Sequence, residues 1–184
     1  IEGIDNITPS YNKLIISFDL NITNFGSLKK VIENLEIKKF KSDNTNIIKI
    51  PVCCEDKYGL DSIRLSEKLK LTKEEILKSY FNKEYFCYMT GFIAGMPFLG
   101  DLSPNIRCNR LETPRVKVPK GSVGITEQFA NIYTFESPGG WNIIGNTPKK
   151  IFNKNSNDNP ALIKAGDKVI FYQITNEEYL NWNE

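Results

Sequence analysis

The sequence predicts a mainly β protein with α+β elements, its larger part a sandwich or closed barrel and its start a small α/β piece. Three observations predict it. From about residue 84 onward, short aromatic and β-branched runs recur with Gly/Pro turn signals between them. Ahead of these runs lie two helical segments, one of them opened by the capping box Thr72-Lys-Glu-Glu75. At the start, a strand–helix pattern is set off by the polar, Lys/Asn-rich stretch Glu36 to Asn46, which has no period. The expected organisation is therefore residues 1–38, a linker at 39–46, and a main domain over 47–184.

Taken in order, Tyr11 to Asp19 reads as a strand, because Leu14, Ile16 and Phe18 alternate to one face. Leu28, Val31, Ile32 and Leu35 recur at helical spacing. This piece is too small to bury its own apolar faces. It should pack on the main domain, or be half of a domain. Ile47 to Val52 opens the main domain as a strand, and Ser62 to Leu69 and Thr72 to Tyr80 read as helices. Glu84 to Thr90 is a strand, and Gly91 to Pro104 a long loop. Further strands are expected over Ser122 to Thr126, Phe129 to Thr134, Trp141 to Gly145, Lys150 to Phe152 and Lys168 to Ile174. Asn153 to Pro160 is a polar hairpin turn. The tail from Thr175 is a short helix with Thr175 and Glu178 as a second capping box.

Bulk composition narrows the function classes. A net charge of +2, with both signs interspersed, argues against nucleic acid or a membrane surface as partner. No apolar run approaches the roughly 20 residues needed to span a bilayer. The chain begins Ile-Glu-Gly without Met or a signal-peptide pattern, so its start reads as truncated or processed. None of the 4 Cys forms a C-x-x-C pair, and Cys53-Cys54 are adjacent, which points to reduced, buried thiols in a cytosolic protein. The count of His is 0, which removes the usual metal ligand and the usual neutral-pH base. A bound metal is not expected, and acid–base work falls to Asp, Glu, Lys, Tyr or Cys.

Three Gly/Pro-rich segments stand out: Gly91–Gly100, Thr113–Gly124 and Ser137–Pro148. Loops at one end of a barrel commonly converge on one mouth. In Ser137-Pro138-Gly139-Gly140 the proline fixes one backbone angle, while the glycines allow positive φ and leave backbone amides bare. On the residues alone, this bend is either a tight hairpin with Trp141 anchoring a barrel wall, or a place where amides approach a ligand. Arg110, Arg115, Lys117 and Lys120 add charge nearby. A guanidinium beside bare amides suits a carboxylate or phosphate. The alternative is a solvated basic edge strand, which Lys117 and Lys120 fit well; Arg115, between Pro114 and Val116, is the stronger site candidate. Glu136 could act as a general acid or base, although exposed turn glutamates are far commoner. Ser137 has no His to activate it as a nucleophile. The sequence contains neither a G-x-x-x-x-G-K-[S/T] phosphate loop nor G-x-G-x-x-G.

At these segments the chain resembles the B subunit of prokaryotic 5-oxoprolinase, a family also known as allophanate hydrolase subunit 1, which includes the bacterial inhibitor of a sporulation histidine kinase. The matching text is Ile-Pro-Val-Cys at 50–53, Gly-Phe-Ile-Ala-Gly-Met-Pro-Phe-Leu-Gly at 91–100 and Thr-Pro-Arg-Val-Lys-Val-Pro-Lys-Gly-Ser-Val-Gly-Ile at 113–125. It continues with Ile-Tyr-Thr-Phe-Glu-Ser-Pro-Gly-Gly-Trp-Asn-Ile-Ile-Gly-Asn-Thr-Pro at 132–148 and Ala-Gly-Asp-Lys-Val at 165–169.

The resemblance implies a cyclophilin-like β-barrel from about residue 47, preceded by the second half of a small α/β domain. It implies an ATP-dependent amide hydrolase, with Mg where ATP is handled in the complex, in which the lactam oxygen is phosphorylated and water opens 5-oxoproline to glutamate. The partners implied are a homologous C subunit and an A subunit; the substrate is a small anionic amide. Arg115, with Arg110 and Lys117, would hold a carboxylate or phosphate beside Ser137, Gly139 and Gly140, with Glu136 as the acid–base candidate. Phe92, Gly95, Pro97 and Trp141 would form the pocket wall. The alternatives are a module that inhibits a sensor histidine kinase, and an allophanate hydrolase or carboxyltransferase-related subunit. No biotin-attachment Ala-Met-Lys-Met is present, so no biotin is expected on this chain. There are two departures. Relatives usually carry a His five residues before the equivalent of Tyr85, where this chain has Tyr80. The Cys-Tyr-Gly-Gly-Glu-Phe-Gly of relatives is here Cys53-Cys54-Glu55-Asp56-Lys57-Tyr58-Gly59.

Overall fold

Residues 1–36 and 46–183 are described in the computed structural model of the chain, which divides into two units, 1–44 and 45–184. Residues 39–45 of the expected linker lie outside the described residues.

In the first unit, β1 (Ile4–Ser10) and β2 (Lys13–Phe18) form an antiparallel hairpin with Ser10 opposite Lys13. Tyr11 makes the turn at φ 54. Only β2 was legible in the sequence. β1 reads Ile-Asp-Asn-Ile-Thr-Pro-Ser and is exposed along most of its length, so its strand character comes from the ladder with β2. Helix α1 (Phe25–Glu33) is capped by Asn24, whose side-chain oxygen accepts the Ser27 amide at 3.0 Å. Leu14, Ile16 and Phe18 face Phe25, Leu28 and Ile32 across an apolar groove, as their alternation predicts.

The second unit opens with β3 (Ile47–Cys53) and the helices α2 (Ser62–Leu69) and α3 (Lys73–Phe81). Both halves of the expected capping box form: Thr72 Oγ1 accepts the Glu75 amide at 3.2 Å, and Glu75 Oε2 accepts the Thr72 amide at 2.7 Å. There follow β4 (Glu84–Thr90), β5 (Pro97–Gly100), a 3-10 turn Pro104–Ile106, β6 (Arg115–Val118), β7 (Ser122–Thr126), β8 (Phe129–Ile132), β9 (Ser137–Gly139), β10 (Asn142–Asn146), β11 (Lys168–Ile174) and α4 (Asn176–Leu180). Seven strands close into a barrel in the order β10-β3-β11-β4-β5-β8-β7, with β7 returning to β10. The β3–β11 pair is parallel, with Ile50 opposite Phe171; the other pairs of the barrel are antiparallel. The β6–β9 ladder stands outside the barrel as a two-stranded sheet.

Two expectations are corrected. The segment 91–104 contains β5, whose backbone bonds to both β4 and β8, rather than being one long loop. Ser137–Gly139 is a short strand on β6, not a turn. β5 folds back on β4 and also pairs with the more distant β8, and β9 pairs with β6 some twenty residues earlier, so the local Gly/Pro texture hid both strands. Lys150 to Phe152 shrinks to a single bridge, Phe152 to Ala161, closing the polar hairpin as expected.

The strand period places alternate residues on opposite faces. Ile144 of β10 joins the main core with Val123, Ile132, Val169 and Phe171, while Ile143 joins a smaller cluster with Met96, Val118, Tyr133 and Trp141. Helix α3 covers the main core with Ile76, Leu77 and Tyr80. All four thiols are free and buried. Burial pushes the Cys54 and Cys87 thiols up to about 12, so neither is a nucleophile at neutral pH.

Candidate functional site

The smaller cluster underlies a cleft of about 260 Å³. Phe92, Phe98 and Trp141 wall it, Gly139 and Gly140 form one edge, and Arg110 stands at its rim. The Trp141 ring is buried, meets Phe98 edge-on with centroids 5.6 Å apart, and carries the Arg110 guanidinium 5.8 Å from its centroid. A cation over an aromatic face is held by the ring quadrupole while its N–H groups stay available to an anion.

Gly139 owes its identity to space rather than to backbone handedness. Neither Gly139 nor Gly140 adopts a positive φ. A Cβ on Gly139 would lie 2.1 Å from the Tyr133 hydroxyl oxygen, whereas one on Gly140 would meet nothing nearer than Pro114 Cγ at 3.6 Å. Tyr133, itself buried, also lines the cleft. Burial raises its pKa, against the lowering influence of Asn131, the Trp141 backbone, Arg110 and Arg115, so its hydroxyl is protonated at neutral pH.

Arg115 sits differently from the sequence expectation. Its backbone pairs with Gly139, but its guanidinium turns to Asp61, Nη2 donating to Oδ1 at 2.7 Å, and it does not line the cleft. Asp61 is 3% exposed, and its Oδ2 accepts the Ile143 amide at 2.7 Å. This carboxylate therefore bolts the start of α2 to β6 and β10. Asp61 supplies the counter-charge to Arg115, whose Nη1 is buried without a partner among the described residues. Asp61 precedes a helix and reads as an N-cap, yet it makes no side-chain cap bond. Asn142 completes the support: its Nδ2 donates to the Asn109 and Ile125 carbonyls, both at 3.1 Å, which fixes the chain next to Arg110.

The remaining candidates scatter. Lys117 and Glu136 pair with each other at 3.1 Å, well exposed, and neither lines the cleft. The Ser137 hydroxyl is buried without a partner among the described residues. Gly95, at φ 70, packs against Phe152, and it is Met96 and Phe98, not Gly95 or Pro97, that face the cleft. Lys120 lines a different cavity. Tyr80, where the family resemblance leads one to expect His, is fully buried against Tyr85 and Phe171, with ring centroids 5.2 and 5.0 Å away. That departure thus falls in the core and not in the cleft. Among the described residues no group of His, Cys, Asp or Glu could hold a metal ion, and no helix is long and apolar enough to cross a membrane.

The family model described as carboxyltransferase domain, subdomain C and D, matches residues 1–163. The chain belongs to this family. Within it, the chain is 34% identical to the 5-oxoprolinase B subunit of Bacillus subtilis, over 99% of this chain and 80% of that protein. It is 39% identical to the B subunit of the same name from Haemophilus influenzae, over 78% of this chain and 66% of that protein. A solved structure of a conserved uncharacterized protein from Pyrococcus horikoshii superposes with TM-score 0.69 at 32% identity, covering 97% of this chain and 82% of that one. The K. lactis urea amidolyase shares the fold, with TM-score 0.77 at 23% identity, covering 98% of this chain and 13% of that one.

Proposed function

We propose that this chain is the B-type subunit of an ATP-dependent lactam hydrolase that opens 5-oxoproline to glutamate together with C and A subunits. The observation that carries the reading is Arg110 poised over Trp141 at the rim of a small, aromatic-walled cleft. A volume of about 260 Å³ lies just below the range of roughly 300–1,000 Å³ that takes drug-sized ligands. It suits one small ring with one carboxylate and leaves no room for a nucleotide beside it. Arg110 would hold the carboxylate, and Phe98 and Trp141 would hold the ring faces. The names of the bacterial relatives supply the substrate.

In such a reaction the amide oxygen is phosphorylated, water adds at the carbonyl carbon, and the C–N bond breaks as the nitrogen takes up a proton and phosphate leaves. Among the described residues lining the cleft, the titratable groups are Arg110 and Tyr133. The Arg110 guanidinium has no acceptor atom and Tyr133 stays protonated, so neither is a base at neutral pH. Tyr133 can donate a hydrogen bond; the base comes from a partner subunit. The isolated chain is accordingly inactive.

Co-expression with the C and A subunits, followed by 5-oxoproline-stimulated ATP hydrolysis and glutamate release, tests this. Loss of a charge-assisted contact worth about 1.5–3 kcal/mol gives Arg110→Ala a KM roughly 10- to 100-fold higher. Glu136→Gln keeps wild-type kinetics. An unchanged KM for Arg110→Ala, or lactam opening by this chain alone, refutes the reading. The carboxyltransferase description of the family model favours a second reading, transfer of a carboxyl group from a biotin carrier on another chain. Biotin-dependent carboxylation of an amide, without ATP-dependent ring opening, would establish that one instead.

A further inference from the structure

A second cavity, of about 400 Å³, shares Tyr133 with the first among its lining residues. Lys120, Lys149 and Lys150 line it, and no carboxylate is among its described lining residues. Three lysines elsewhere on the second unit pair with acids, Lys73 with Asp56, Lys117 with Glu136 and Lys168 with Glu84, while Lys83 and Lys164 meet neutral oxygens of Asp101 and Asn159. Lys120 and Lys149 form no such pair among the described residues. The nearest recorded acceptor for Lys149 Nζ is the Lys49 carbonyl at 3.5 Å, a long contact that leaves its charge uncompensated.

The walls are cross-braced. The Gly121 amide donates to the Tyr133 carbonyl at 2.7 Å, and the Thr147 amide to the Gly121 carbonyl at 2.9 Å. Asn146 Nδ2 donates to the Lys120 carbonyl at 2.9 Å, and Tyr179 Oη donates to Asn146 Oδ1 at 2.9 Å. Gly121 holds φ 81, and a Cβ there would come within 2.5 Å of Asn146 Oδ1 and the Thr147 carbonyl, so the turn that presents Lys120 requires glycine. Thr147 is 3% exposed and its hydroxyl accepts the Lys149 amide at 3.2 Å, which leaves the hydroxyl proton for a ligand.

We propose that this cavity binds a polyphosphate, an anion of two or more phosphoryl groups, with Lys120, Lys149 and Lys150 as cationic contacts and the Thr147 hydroxyl as a neutral donor. Lysines concentrated in one braced hollow, with Lys120 and Lys149 uncompensated, favour a multiply charged anion over a single carboxylate, because each ammonium acts as a separate point charge. The site goes beyond the lactam reading, and its test reads binding alone.

Tripolyphosphate and, separately, ATP would be titrated into the full chain by calorimetry at low ionic strength. Both probes should bind, and raising salt to about 0.5 M should weaken binding steeply. Lys149→Ala should weaken it roughly 10-fold and Lys120→Glu/Lys149→Glu should abolish it, while both variants keep the wild-type circular dichroism spectrum and melting temperature. Arg110→Ala should bind tripolyphosphate like wild type. No binding of tripolyphosphate at low salt, binding that survives the double variant, or equal loss in Arg110→Ala would overturn the assignment. The last outcome would move the anion to the smaller cleft and leave the lactam reading standing.

Discussion

Replacing Gly139 by Ala separates close packing from backbone handedness as the reason for the paired glycines. The added Cβ would lie 2.1 Å from the Tyr133 oxygen and 2.8 and 2.9 Å from Cζ and Cε1 of the same ring. Tyr133 is 1% exposed, so the ring cannot swing aside into solvent. Overpacking of this kind costs about 1–3 kcal/mol, and for a chain of this size 1 kcal/mol shifts the melting temperature by roughly 2–4 °C. Gly139→Ala should therefore melt roughly 2–12 °C below wild type. Gly140→Ala meets only ordinary contacts at 3.6 Å and beyond, and should stay within about 0.5 kcal/mol of wild type. Tyr133→Phe placed on Gly139→Ala removes the nearest clashing atom and should recover part of the loss. Urea unfolding followed by tryptophan fluorescence reads all three. Equal stabilities for the two glycine variants, or a more damaging Gly140→Ala, would refute the packing argument.

Asp61→Ala leaves the Arg115 guanidinium and the Ile143 amide without their acceptor, and should cost about 3 kcal/mol in urea unfolding. Asp61→Ala/Arg115→Met should recover part of that loss, because the stranded charge is then gone. Stability should also fall on the alkaline side. Cys54 and Cys87 rise from an ordinary 9.0 to about 12 in the folded chain, chiefly through burial, so the neutral thiol is the form that folding favours. Their contribution is whole below pH 9 and is lost between about 9 and 12, by about 1.4 kcal/mol per pH unit for each thiol, as the unfolded chain ionises first. Melting under reducing conditions from pH 7 to 10.5 should show this slope, and Cys54→Ala should flatten it.

Much of the fold was legible because its signals are local. A capping box needs only residues three apart, and both Thr72/Glu75 and Thr175/Glu178 form as written. β11, with its apolar and β-branched run, keeps its expected bounds at Lys168–Ile174. β1, β5 and β9 were not legible, since what makes them strands is the backbone of β2, of β4 and β8, and of β6. The site divides in the same way. The Gly/Pro-rich segments around Phe92, Gly139 and Trp141 do meet in one cleft. Arg110 and Arg115 both lie in one basic run; the flanking Pro114 and Val116 singled out Arg115, yet it is Arg110 that lines the cleft.

The sequence by itself determined the family through its ordered run of matching segments, and a sandwich or closed barrel with Gly/Pro-rich loops meeting at one mouth through hydrophobic period and turn chemistry, which act over a few residues. Only the tertiary structure decided which guanidinium faces that cleft. Asp61, 54 positions from Arg115 along the chain, is buried where it must find a cation, and a buried carboxylate takes the nearest one that can reach it. That pairing removes Arg115 from the cleft and leaves Arg110 at its rim over Trp141.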